Sequence, residues 1–328
     1  MAEFIVGKTA NEVWKKAAAK LLNQNNTLNG RTGEVYELLH TFIEIKEPRQ
    51  KWVFDRIPPI SVGYALAELV WIINGEDRSD VINAWNPSLK TFSGKGKFYH
   101  GAYGKRIRYH FGFDQMEKAY QALQSDPESR QIVIQIYDTK VDFPVESGRP
   151  RDADIPCNVC SMLKVRDEKL EWCQIMRSND VLLGMPYNFI QFTGLQEILA
   201  GWLRLDVGSY NHYSDSLHLY NRDISKIGIG QEMEIRNNDS LSLSKEESER
   251  VFKDIYERMK ALVFNEVTEK EIYSLAQLNS EHEAYNNIML IIAAYIAHKV
   301  HYSDLTKELV EKCTNRVYTT MWNRWVNE

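Results

Sequence analysis

Two of the chain's four cysteines, Cys157 and Cys160, stand three apart in IPCNVC, directly after Pro156; the others are Cys173 and Cys313. Such a pair could be half of a metal clip, a redox dithiol, or a nucleophile beside a bystander. Structural zinc sites take four ligands, commonly as two such pairs, and with no second pair in the sequence no metal is expected. A redox pair belongs at a strand-to-helix junction, whereas residues Cys157 to Val165 read as a strand. The structural alternative is two buried thiols that strand alternation turns to opposite faces.

A second group of chemically capable residues lies in RSNDVLLGMPYNF, Arg177 to Phe189, where Arg177, Ser178, Asp180, Gly184 and Asn188 interrupt an apolar region. Glu68 stands inside SVGYALAELVWIIN, a stretch apolar on nearly all sides. Polar and ionisable groups in such surroundings cost free energy unless they bind one another or a ligand. Composition alone leaves an internal network and a binding site equally open.

Periodicity outlines the elements that must hold these residues. Helical spacing predicts a helix from Ala10 to Asn23, a buried one from Ser61 to Asn74, one near Gln115–Gln124, and a long one from Pro186 to Leu203. Strand patterns run over Val35–Glu47, Arg130–Tyr137, Cys157–Val165, Lys169–Met176 and Gly208–Tyr220, with the turn RDE pairing the third and fourth as a hairpin. This order lacks regular βαβ alternation, so an α+β fold with a mixed sheet flanked by helices is expected. After NNDS the texture changes. Ser244 with Glu247 and Thr268 with Glu271 are helix-start signatures, and helical periodicity continues through Tyr285–Val300 and Ser303–Trp325. The division expected is a catalytic domain over 1–236 and an additional helical C-terminal segment over 237–328.

The 328 residues carry a net charge of −5, with 44% hydrophobic and 26% charged residues, which is ordinary for a soluble globular protein and gives no basic surface for nucleic acid. The longest apolar run, Ile288 to Ala297, is about half of a membrane span, and no leader is read at the N-terminus. A cytoplasmic protein with no nucleic-acid or membrane partner is expected, its cysteines reduced.

PCN at Pro156–Asn158, RSNDVLLGMPYN at Arg177–Asn188 and HLY at His218–Tyr220 resemble the thymidylate synthase and deoxycytidylate hydroxymethylase superfamily. So do GRTG at Gly30–Gly33, AELVWIINGE at Ala67–Glu76, GAYGKRIR at Gly101–Arg108 and DPESRQIV at Asp126–Val133. The resemblance covers roughly Leu28 to Asn221. It implies that Cys157 is a thiolate nucleophile adding to C6 of a pyrimidine, with Arg177 beside it to favour the ionised sulfur. Arg31, Arg130, Arg177 and Ser178 correspond to phosphate binders, Arg130 in the position that reaches the other subunit of a homodimer. Asn188 corresponds to the base reader, His218 and Tyr220 to holders of the sugar hydroxyl, and Glu68 and Tyr103 to the acid/base pair. Asp180 and Gly184 correspond to contacts of the co-substrate 5,10-methylenetetrahydrofolate. A carboxamide at 188 complements O4 and N3–H of uracil, so a uracil nucleoside monophosphate is the expected substrate.

Departures from the family pattern surround the same site. Asn158 replaces a histidine, Met176 a glutamine, Gln131 an arginine, Ser216 an aspartate and Arg222 an asparagine. The tryptophan-rich segment Asn83–Gly104 differs from the usual loop, and Trp85 is read as core. MWNRWVNE resembles no family tail that closes over folate. Methylation of dUMP is the leading expectation. Hydroxymethylation of dUMP, dCMP or CMP is the runner-up, because an uncovered one-carbon adduct would meet water. A nucleotide-binding regulatory module without catalysis is the reading from another class.

Overall fold

A computed structural model describes residues 2–24, 27–30, 33–228 and 235–327. Arg31, one of the expected phosphate binders, lies outside the described residues. Among the described residues eight strands form one mixed sheet: β1 (Glu3–Gly7), β2 (Leu28–Gly30), β3 (Gly33–Ile45), β4 (Val133–Gln135), β5 (Asn158–Arg166), β6 (Lys169–Met176), β7 (Asn179–Asp180) and β8 (Asp206–Tyr220). The main path runs β1-β3-β8-β6-β5-β4, with β2 on β3 and β7 on β8. Strands β5 and β6 are the expected hairpin, and Asp167 and Glu168 make its turn with positive φ of 50° and 57°, the twist-matching geometry of tight hairpins.

The longer helices are α1 (Ala10–Leu22), α2 (Val62–Ile73), α3 (Gln115–Ser125), α4 (Met185–Leu203), α5 (Lys245–Phe264), α6 (Glu269–Ala276), α7 (Glu283–Lys299), α8 (Ser303–Lys312) and α9 (Arg316–Asn327). Their starts follow the sequence signals. Ser61 caps α2 and Ser244 caps α5, while Thr268 and Glu271 form the reciprocal capping box of α6. Pro186 sits in the first turn of α4, where its missing N–H costs nothing.

Three expectations are corrected. The strand over 130–137 shrinks to Val133–Gln135, because its partner bulges: the N–H groups of Ile136 and Tyr137 both donate to the carbonyl of Val159. The helical run 303–325 breaks at Cys313–Asn315, where buried Asn315 turns its Oδ1 to the N–H groups of Val317 and Tyr318 and starts α9. Strand β1 was not anticipated, since its five residues alternate too briefly to register and Phe4 and Val6 remain exposed.

Apolar burial is continuous from Ile5 to Trp322. Helices α1 and α4 cover one face of the sheet and α2 packs on α4; α7, buried nearly all round, lies against α2 so closely that a Cβ on Gly63 would meet Tyr295 at 2.8 Å. Trp85 is core, as read, and its indole donates to the carbonyl of Ile292 in α7 at 3.1 Å.

Candidate active site

Backbone irregularities aim the site residues. Between Asn158 and Cys160 the β5–β6 register shifts by a bulge, the usual device for redirecting a side chain at a strand end. Asn158 and Ser161 are thereby both fully buried on the helix-covered face, while Cys160 lies in the cross-strand row Phe42, Tyr213, Ile175, Cys160 on the opposite face. Cys157 precedes the bulge at the open end of the hairpin, directly across from Arg177, whose backbone N–H donates to the Cys157 carbonyl at 3.0 Å. The guanidinium folds back onto the chain before the cysteine: Nε donates to the Pro156 carbonyl at 3.0 Å and Nη2 to the Ile155 carbonyl at 3.1 Å. Arg177 therefore fixes the backbone that carries the thiol while its exposed side chain keeps positive charge at that end.

Two glycines of GAYG bring Tyr103 to the same place. A Cβ on Gly104 would lie 2.5 Å from the Ile72 carbonyl oxygen, so only glycine lets this turn press on α2, the helix that carries Glu68. A Cβ on Gly101 would lie 2.6 Å from the Asp154 carbonyl, and its N–H donates to Asp154 Oδ2 at 2.7 Å. The Tyr103 turn is thus clipped to the loop leading into Cys157. Behind it, fully buried Arg106 forms a bidentate pair with Asp142 at 2.9 and 3.0 Å. Burial, then the nearby charge of Cys157, pushes the Tyr103 hydroxyl far above its ordinary range, with a side-chain hydrogen bond from Asn158 opposing and Asp154 and Glu68 adding smaller pushes. The Tyr103 turn thus links the loop before Cys157 to the helix that carries Glu68.

Glu68 accepts from the Tyr64 hydroxyl and from Gln191 Nε2. Burial raises its carboxyl to about 7 despite those two donors, a value suited to gaining and losing a proton at neutral pH. Gln191 Oε1, although buried, has no hydrogen-bond partner among the described residues, an acceptor waiting beside the carboxyl.

Asn188, in the first turn of α4, is nearly fully buried. Its Oδ1 accepts from Asn158 Nδ2 at 3.3 Å and its Nδ2 points to Met176 Sδ at 3.6 Å. Asp180 ties the RSND loop into a turn by accepting from the N–H groups of Leu182 and Leu183 at 2.8 and 2.9 Å. A Cβ on Gly184 would meet nothing nearer than 3.6 Å, so protein packing does not demand glycine there. His218 and Tyr220 stack edge-on at 5.5 Å near the end of β8, and the His218 carbonyl accepts from Val181 N–H. They reach that position through a phase change: Tyr210, His212 and Ser214 are buried before the paired kink at Asp215 and His40 (φ 55°), and Leu217 and Leu219 after it. Ser178 is half-buried beside Arg177. Arg130 is exposed ahead of β4, and the pairing of Val133 with Met162 puts it toward the far end of β5, away from its own chain's Cys157.

Four participants were not singled out as functional from sequence: Gln191, Asp154, Gln174 and Trp172. The last two carried a signal, since they occupy inward positions of the alternating strand β6, where a glutamine is out of place unless it bonds. Arg222, noted only as a departure, stacks its guanidinium 4.3 Å over the Tyr220 ring. Among the described residues no cluster of three or more potential ligands could hold a metal ion, and no helix is long and apolar enough to cross a membrane.

An α+β sheet that sets a cysteine across from an arginine, with a buried carboxamide next along the amide network and a buried glutamate whose carboxyl sits near 7, defines a nucleophilic transferase-type site. The family model described as Thymidylate synthase matches residues 14–271, and the chain belongs to the thymidylate synthase family. It is 28% identical over 225 residues to the deoxyuridylate hydroxymethyltransferase of Bacillus phage SP01, covering 65% of this chain and 58% of that one. It is 29% identical over 166 residues to the deoxyuridylate hydroxymethyltransferase of Pseudomonas phage M6, covering 50% and 46%. A putative thymidylate synthase of Methanothermobacter marburgensis is 26% identical over 211 residues, covering 64% and 89%. The chain spans about half the length of the two phage relatives.

Proposed function

We propose that this protein transfers a one-carbon unit to C5 of dUMP, with Cys157 as the nucleophile. The observation that carries the reading is geometric: Cys157 lies across from Arg177 and next to Asn158, whose amide bonds to Asn188, while the Tyr103 turn is clipped both to the loop before Cys157 and to the helix that carries Glu68. The Cys157 thiolate forms a bond to C6, and the C5–C6 π pair moves onto O4, making C5 nucleophilic. Asn188 meets O4 and N3–H. After the new carbon–carbon bond forms, loss of the C5 proton toward Tyr103 and Glu68 expels the donor's nitrogen and leaves an exocyclic methylene at C5; water adds to that methylene, giving the hydroxymethyl group and returning an electron pair to the ring, and the sulfur departs as the C5–C6 double bond re-forms.

Methylenetetrahydrofolate supplies the carbon at the formaldehyde oxidation level. Asp180 and Gly184 would hold it, a fit supported by the room a Cβ would find at Gly184 and by the unpaired Gln191 Oε1 near Glu68. Water alone converts the transferred unit to hydroxymethyl, whereas a methyl group requires two further electrons. The two phage relatives support the hydroxymethyl product, and the archaeal relative supports methylation as the second reading.

The protein acts as a homodimer. The sheet face away from α1 and α4 exposes Phe4 (70%) and Phe42 (43%), which stack at 5.3 Å, with Tyr213 against Phe42 at 4.7 Å; an apolar face of this kind is an association surface. A second copy seated there gives Arg130 a phosphate to bind across the interface. Incubation with C5-tritiated dUMP and the folate tests the reaction: tritium release with a hydroxymethyl product is expected, a methyl product selects the second reading, and nucleotide binding without release overturns both.

A further inference from the structure

Behind the base-reading carboxamide lies a dry row of hydrogen bonds. Trp172 Nε1 donates to Gln174 Oε1 at 3.2 Å, Gln174 Nε2 donates to Asn158 Oδ1 at 2.8 Å, and Asn158 Nδ2 donates to Asn188 Oδ1 at 3.3 Å. Ser161 Oγ also donates to Gln174 Oε1 at 2.5 Å. Trp172, Gln174, Asn158 and Ser161 are fully buried and Asn188 is 5% exposed, so water cannot substitute for a missing partner.

Each amide in the row could be turned over, exchanging its oxygen and nitrogen at no cost in shape. The indole cannot, because it donates and never accepts. Trp172 therefore dictates that Gln174 present oxygen to it and nitrogen to Asn158. Asn158 must then present nitrogen to Asn188, and Asn188 must keep its oxygen on the Asn158 side and its nitrogen on the Met176 side. Turning the row over would set donor against donor at the indole in a buried site, where an unmade hydrogen bond is expensive.

Uracil and cytosine differ at this edge by an exchange of donor and acceptor: O4 and N3–H in one, N4–H2 and N3 in the other. We infer that Trp172, Gln174 and Asn158 are positioning residues that set the polarity of the Asn188 carboxamide and with it the preference for a uracil over a cytosine nucleotide. This rests on the reading of Asn188 as the group that meets the base.

The test measures equilibrium binding of dUMP and dCMP by calorimetry alongside tritium release from each. The native protein is expected to prefer dUMP. Trp172→Phe keeps an aromatic ring but removes the N–H; its dUMP-to-dCMP affinity ratio should fall by about tenfold, the value of one buried hydrogen bond. Asn158→Asp offers only acceptors when ionised, taking bonds from both Gln174 and a turned-over Asn188, and should move the ratio further toward dCMP. Loss of packing alone would weaken both nucleotides together and leave the ratio unchanged. A native protein indifferent to the base, or a folded Asn158→Asp protein with the native ratio, overturns the inference even if Trp172→Phe does not fold. Binding reports on the amide row and tritium release on the reaction, so either can fail while the other stands.

Discussion

Cys157 and Cys160 are separated by a bulge and face different surroundings: one stands across from Arg177, the other in an apolar row of the opposite sheet face where burial raises its thiol. Cys157→Ser is accordingly expected to abolish tritium release and Cys160→Ser to retain most of it, measured on proteins of matched melting temperature. Glu68 gives a pH signature. With its carboxyl at about 7 against an ordinary 4.5, the native state holds a proton that the unfolded chain releases between those values. Its contribution to stability is complete below 4.5, falls as pH rises, and is spent above about 7. Melting temperatures of Glu68→Gln should therefore gain on the native protein across that interval. Turnover by Glu68→Gln should drop by about 10²–10⁴-fold and lose its inflection near pH 7. His212, buried and shifted from 6.5 to about 3 by desolvation, has the opposite sign: it withdraws stability as pH falls below 6.5.

At the level of elements, contacts between sequence-distant segments decide where the chemistry sits. The 2.5 Å approach of a Gly104 Cβ to the Ile72 carbonyl involves backbone on both sides, so Gly104→Ala must push the Tyr103 turn off α2. A loss of about 1–3 kcal/mol is expected from such overpacking, read by denaturant unfolding, together with reduced turnover. Helices α2 and α4 and the β5–β6 hairpin were legible because their apolar periodicity is long and their caps and turn are chemically marked. The short β4 and the break before α9 were not, since a bulge in a partner strand and a buried Asn315 are tertiary facts with no local pattern. The same holds within the site. Cys157, Arg177 and Asn188 could be named from their motifs, whereas Gln191 and Asp154 acquire meaning only once Glu68 and Gly101 are packed against them.

For the whole molecule, one continuous core joins the sheet to helices α5–α9, and the family match itself runs past residue 236 into α6. A chain ending at residue 236 would uncover α2 along its contact with α7 and is expected to be insoluble or molten, judged by loss of near-ultraviolet circular dichroism. The exposed sheet face leads to a complementation test. Mixing Cys157→Ser and Arg130→Ala subunits should restore about a quarter of native turnover, because half the dimers are mixed and each of these holds one site with both groups intact. Phe42→Asp should shift sedimentation toward the monomer and remove that rescue.

The amide row behind Asn188 has an evolutionary corollary. Its members invert together or not at all, so the chain's choice of base is recorded at Trp172, a residue that never meets the nucleotide. Descendants reading the other base could arise by replacing that silent anchor and leaving every ligand-touching side chain as it was, a route that comparison of pocket residues alone would overlook.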